Sequence, residues 1–173
     1  LQITNVTEAK VFENDTSATD GSGRPPHSIE CLVQGGDDAD ILDVVWNRKA
    51  AGIYPYGTTS GTVTDSQGVD HTSRFSRPSV VNVYIEMDLT TTADFPGSSE
   101  VIDRLVTHGD TLLIGDDVIV YPYLIAALND VPGIDDIVVR IGTTASPTTD
   151  DNVVIPETSI ADIDSSRITI TIL

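Results

Sequence analysis

Apolar residues recur at helical period in two stretches of this chain and alternate with polar residues in most of the others. Ile41, Leu42, Val45 and Trp46 form one stripe within residues 37–51. Asp37, Asp38 and Asp40 open that stretch, and Arg48 and Lys49 stand near its end. The helix macrodipole favours this order, with anions near free N–H groups and cations near free carbonyls. Gly52 follows, where a residue of positive φ commonly ends a helix. Tyr54-Pro55-Tyr56-Gly57 then predicts a turn, because Pro55 cannot continue a helix and holds Tyr54 extended. Val101, Ile102, Leu105 and Val106 repeat the stripe and predict a helix over 98–108, with Gly109 behind it. Pro122 suits the first turn of a third helix over 122–129.

The alternating runs predict strands. Residues 2–12 carry Ile3, Val6, Val11 and Phe12 between polar neighbours, residues 13–26 read as a loop, and 27–34 as a second strand. Gly61–Thr64 and His71–Phe75 flank Asp65-Ser66-Gln67-Gly68, which is turn chemistry for a hairpin over 61–75. The clearest strand is 80–89, with Val81, Val83, Ile85 and Met87 on one face. Further strands are predicted at 134–141, 152–155 and 167–173. Helices and strands mix without regular βαβ repetition, so the expected class is α+β. Arg77-Pro78-Ser79 reads as a boundary between a first α+β domain, 1–78, and a second, 79–173. Each is expected to hold a mixed or antiparallel sheet packed by one or two helices, with Trp46 pinning the first helix to its sheet.

Composition narrows the chemistry. The formal net charge is −18, from 27 acidic and 9 basic residues, and only Lys10 and Lys49 are lysines. Such a surface repels phosphate backbones, so no nucleic-acid partner is expected. An aspartate excess with few lysines suggests adaptation to a salty environment, where screening is strong. No apolar run approaches membrane-spanning length and no signal segment is visible, so a soluble piece of something longer, without a membrane partner, is expected. Cys31 is the only cysteine and lies in an apolar run, where a small buried hydrophobe is the simpler account than a nucleophile.

No constellation of catalytic or metal-binding residues stands out. His27, His71 and His108 share no metal-ligand spacing, and a cation is favoured at a helix end such as that of His108 anyway. Ser60, in Gly57-Thr58-Thr59-Ser60-Gly61, lacks the nucleophile-elbow spacing. Asp37-Asp38, Asp116-Asp117, Asp135-Asp136 and Asp150-Asp151 suggest paired carboxylates, but capping and turn roles explain them as readily. Asp162-Ile163-Asp164 is a fragment of a calcium-loop pattern without its glutamate, and residues 15–23 are too irregular for one. The expectation is therefore a non-enzyme with no catalytic, cofactor-binding or metal-binding residues and no cofactor.

A longer run of residues carries a resemblance. In order stand Pro26-His27-Ser28-Ile29-Glu30, Gly35-Gly36-Asp37-Asp38, Ile41 to Trp46, Lys49-Ala50-Ala51-Gly52-Ile53, Tyr56-Gly57, Asp65-Ser66-Gln67-Gly68, and Arg74-Phe75-Ser76-Arg77-Pro78. This run resembles the C-terminal part of the baseplate J-like family of contractile phage tails. Ile114-Gly115-Asp116-Asp117-Val118, Leu124 to Leu128 and Val131-Pro132-Gly133-Ile134 resemble the α/β unit that follows it in that family, so the resemblance covers most of residues 5–145. It implies a structural, wedge-type protein of a phage or prophage-derived baseplate, or of a related contractile injection system. Its partners would be other baseplate subunits, it would form a homo-oligomer in the assembled particle, and it would reside in the virion after synthesis in the host cytoplasm. No catalytic residue is known for this region, so none carries over. The chain departs from the family in lacking the N-terminal portion and in its acidity. A tail-associated module recognising a receptor or carbohydrate is the alternative, and would need an exposed aromatic cluster. A hydrolase using an Asp pair would need two carboxylates converging in a cleft.

Overall fold

In the computed structural model, which describes residues 3–173, the first alternating run becomes strand β1 (Val6–Asn14). It starts later than expected because Asn5 adopts a left-handed φ of 64° and a turn returns the Val6 amide to the Ile3 carbonyl. Residue 2 of the expected strand lies outside the described residues. β1 pairs antiparallel with β2 (Ser28–Gly35). Helix α1 (Asp38–Arg48) follows, capped by Asp37, whose Oδ1 accepts from the Ala39 amide at 2.9 Å. It ends three residues before the expected boundary at 51. Lys49 turns extended, at ψ 150°, and the positive φ of Gly52 serves a separate turn that closes from Ile53 N to Ala50 O. Tyr54–Tyr56 is not a turn but strand β3, parallel to β2. The extended backbone that Pro55 favours is used for pairing, at a sheet edge where a missing N–H is tolerated.

Strands β4 (Thr59–Thr64) and β5 (Asp70–Phe75) form the hairpin, and α1 packs on both. Ile41, Leu42 and Val45 join Val33, Val63 and the fully buried Phe75 in the core of this unit. Trp46 departs from the expectation. It is only half-buried at the rim, stacked on the His71 ring at 4.3 Å with Lys49 Nζ 4.2 Å from its own ring centre. Past β5, Ser76 exchanges backbone hydrogen bonds with Cys31 and Val33, which ties the hairpin to β2.

The chain divides into two units, Leu1–Pro78 and Ser79–Leu173. The second is built on β6 (Ser79–Thr91), whose inward face is Val83, Ile85, Met87 and Leu89, each fully buried. Helix α2 (Ser98–Gly109) covers that face with Val101 and Leu105. Gly109 allows close approach to the sheet, since a Cβ there would lie 2.7 Å from Ile163 Cβ. β7 (Ile134–Gly142) pairs antiparallel and β8 (Ser159–Ile172) parallel to β6, giving the order β7-β6-β8. The class is α+β, and the described residues hold two helices of more than two turns and three small mixed or antiparallel sheets.

Three expectations in this unit need correction. β8 begins at Ser159 rather than 167. Its middle swings outward at Asp164–Arg167, so Val83 pairs with Ile163 while Ile85 pairs with Ile168. Residues 152–155 are not a ladder strand. Val153 makes one bridge to Val118, while side chains take over on either side: Asn152 Oδ1 accepts from Val120 N, and Asp117 Oδ1 from Ile155 N. The helix expected over 122–129 shrinks to a short irregular one: a wide π-type segment, Val120–Leu124, then two α-helical residues, 125–126, and turns. Tyr121 is extended, at φ −116° and ψ 127°, and past it no single ladder is kept: Leu124 N donates to Ile119 O, Ala127 N to Tyr123 O and Leu128 N to Ile125 O, so the segment stays short and irregular.

Candidate assembly surface

Most residues that carry the sequence signature build the scaffold of the first unit. Arg77 gathers the open end of β2 and the start of α1. Its Nη1 donates to the carbonyls of Val33 and Gly35, and its Nη2 to the Gly36 carbonyl and the Asp38 carboxylate. Its guanidinium also lies 4.9 Å from the Phe75 ring centre. Ser76 Oγ donates to Glu30 Oε1 at 2.5 Å and accepts from the Thr58 amide. Glu30 Oε2 accepts from Arg24 Nε at 2.8 Å, and Arg24 also pairs with Asp20. Arg24 and Glu30 are buried, and the Arg24 guanidinium sits 4.4 Å from the Phe12 ring centre. Burial opposes the charge on Arg24, but Glu30 and Asp20 outweigh it and hold its pKa above the ordinary value. Asn14 fixes the adjoining loop, donating to the carbonyls of Ala18, Arg24 and Pro25. This network couples residues far apart in sequence, and no local pattern announces it.

The candidate chemical groups are dispersed. His27 is exposed at the start of β2, and His71 lies on β5 with Nε2 2.9 Å from Asp65 Oδ2. That bond is the main reason the Asp65 carboxyl titrates below its usual range. Ser60 lies on β4 and the half-buried Cys31 on β2; burial, then the nearby Glu30, pushes the Cys31 thiol up. Among the Asp pairs, Asp37-Asp38 caps α1 and Asp135-Asp136 lies at the start of β7. Asp116 Oδ2 accepts from Leu113 N and Asp117 Oδ1 from Ile155 N, so both brace loops. Asp150-Asp151 is exposed coil, and Asp164 turns its carboxylate to Ser166 within the β8 excursion. Among the described residues, no three His, Cys, Asp or Glu side chains cluster in a metal-binding arrangement. No helix there is long and apolar enough to cross a membrane.

What the sequence reading missed is an aromatic ridge in the second unit. Tyr121, Pro122 and Tyr123 are all exposed, the tyrosines by 53% and 61%, while Val120 and Leu124 on either side are fully buried. Tyr121 lines a groove of about 510 Å³ with Ile137, Val138, Arg140 and Asp150. Tyr123 lines another of about 460 Å³ with His108, Leu112, Asp116, Asp117 and Ile119. Arg140 in the first groove is engaged by Asp88 at 2.9 Å, which chiefly raises its pKa, and by Glu86 at 3.6 Å. Burial lowers the pKa of His108 in the second. The available signal was the Tyr-Pro-Tyr tripeptide itself, which places two of the chain's nine aromatic residues on either side of one proline. An apolar centre with a polar rim suits macromolecular contact better than enclosure of a small reactant. The chain matches no protein-family model, and no curated protein is significantly similar to it.

Proposed function

We propose that this chain is a structural component of a contractile-tail baseplate, phage or prophage-derived, acting as a wedge-type assembly protein through protein–protein contacts. It is a non-enzyme that needs no cofactor, and it sits in the virion beside other baseplate subunits and further copies of itself. The observation that carries the reading is the ordered run from Pro26 to Pro78, resembling the baseplate J-like family. The way those residues are used supports it: Arg77 ties β2 to the start of α1, and Ser76 with Glu30 ties β2 to the end of the hairpin, rather than converging on a cleft. A spread-out acidic surface with an aromatic ridge suits assembly better than turnover. The exposed Tyr121 and Tyr123 favour one second reading, a tail module that recognises a receptor or glycan. The test is the gene neighbourhood together with solution mass. Sheath, tube and spike genes beside this one, and a mass above the monomer at one or more salt concentrations, are expected. Neighbours drawn from metabolism and a monomer at every salt concentration would remove the reading.

A further inference from the structure

We propose that the Tyr121–Tyr123 ridge is the contact by which the second unit docks onto a different subunit of the assembly, one that presents an apolar cleft rimmed by arginine or lysine. This rests on the assembly reading above and adds a surface and a partner chemistry to it. The chain holds nine aromatic residues, and two of its three exposed tyrosines stand in this single tripeptide. Their backbone is anchored on both sides. Val120 and Leu124 are fully buried on either side, Val120 N donates to Asn152 Oδ1, and Leu124 N donates to the Ile119 carbonyl. Tyrosines on an anchored backbone lose only side-chain freedom on binding, and tyrosine is enriched at interface hot spots. Half-buried Leu112, Ile119 and Ile137 and exposed Val138 extend the apolar surface into the flanking grooves.

Charge selects the partner. The groove walls carry Asp116, Asp117 and Asp150, and the one arginine among them, Arg140, is engaged by Glu86 and Asp88. A second copy of a chain with formal charge −18 brings like charge to this rim, whereas a basic cleft complements it. The occupant is therefore a different protein, and contact between copies of this chain uses another face.

The test is incorporation of variants into tail particles, in producing cells that lack the wild-type gene. The Tyr121→Ala/Tyr123→Ala chain should melt within a few degrees of wild type, because exposed side chains contribute little to folding. Its incorporation should fall by at least about tenfold, as expected for loss of a hot spot. Tyr121→Phe/Tyr123→Phe should restore most of it. Asp150→Lys, an exposed change that leaves the ridge intact, should lower incorporation on its own. Normal incorporation of both the alanine pair and Asp150→Lys would overturn the inference. So would particles that incorporate the alanine pair normally but no longer adsorb to cells, since that places a cell-surface glycan on the ridge. Absence of the wild-type chain from particles would remove the assembly reading itself, so the two failures are distinguishable.

Discussion

Glu30→Leu isolates the buried ion pair of the first unit. The substitution keeps roughly the side-chain volume, so cavity formation adds little, and it removes the acceptor of both Arg24 Nε and Ser76 Oγ. Arg24 is 5% exposed and retains only Asp20, which is itself partly solvated. Breaking one side of a buried pair costs about 3–5 kcal/mol, because a charge is left without compensation. The remaining Asp20 partner places the expected loss near the lower end, about 3 kcal/mol. In a unit of this size about 1 kcal/mol shifts the melting temperature by roughly 4–8 °C, so a fall of at least about 12 °C is expected in its transition. The assay is differential scanning calorimetry of the whole chain, where the two units can melt separately. Arg24→Met/Glu30→Leu removes both charges and should recover much of the loss, since apolar replacement of a buried pair is often neutral. A single-variant shift under about 4 °C, or a double variant worse than the single, would refute the claim that Arg24 depends on Glu30.

Trp46→Ala should cost about 1–3 kcal/mol in thermal denaturation, less than the 3–5 typical of a buried aromatic, because the ring is half-buried between His71 and Lys49. Gly57→Ala should destabilise by about 1–3 kcal/mol or more by chemical denaturation, since its φ is 157° and a Cβ would lie 2.2 Å from Phe75 backbone atoms. Burial holds the His108 pKa below the ordinary 6.5, so the unfolded chain takes up its proton first as pH falls. Stability of the second unit should therefore drop as pH falls below about 6.5, level off below the folded pKa, and show a flatter profile in His108→Gln. Asp65 is lowered mainly by His71, so its contribution is present above the unfolded value of 3.8 and is lost as pH falls through the folded one. Melting temperature should rise between low and molar salt, as self-repulsion at a formal charge of −18 is screened, and a flat response would rule out the salt-adapted reading.

Elements whose causes are local were legible in the sequence. Helix α1 carries its own cap, stripe and charge order, and the β4–β5 hairpin carries its own turn, so both stand close to where the pattern put them. Elements decided at a distance were not. Only the second half of β8, 167–173, is predicted by the pattern, because Asp164–Arg167 interrupts the alternation before it, yet pairing with β6 holds the first half extended. Residues 152–155 have strand-like side chains, but Asn152 and Asp117 supply from side chains what a neighbouring strand would have supplied. The Glu30–Ser76 bond joins residues 46 apart and leaves no periodic trace. The aromatic ridge was hidden because Pro122 suits a helix start, and the exposure of Tyr121 and Tyr123 follows from the burial of Val120 and Leu124 by distant residues, which no local pattern sets.

The most direct measurement is cryo-electron microscopy of purified tail particles combined with mass spectrometry of their protein content. A baseplate wedge is expected to appear as symmetric copies of the two α+β units between hub and periphery, with the chain present at matching stoichiometry. Complete particles that lack this chain, or that carry it only away from the baseplate, would contradict the proposed function.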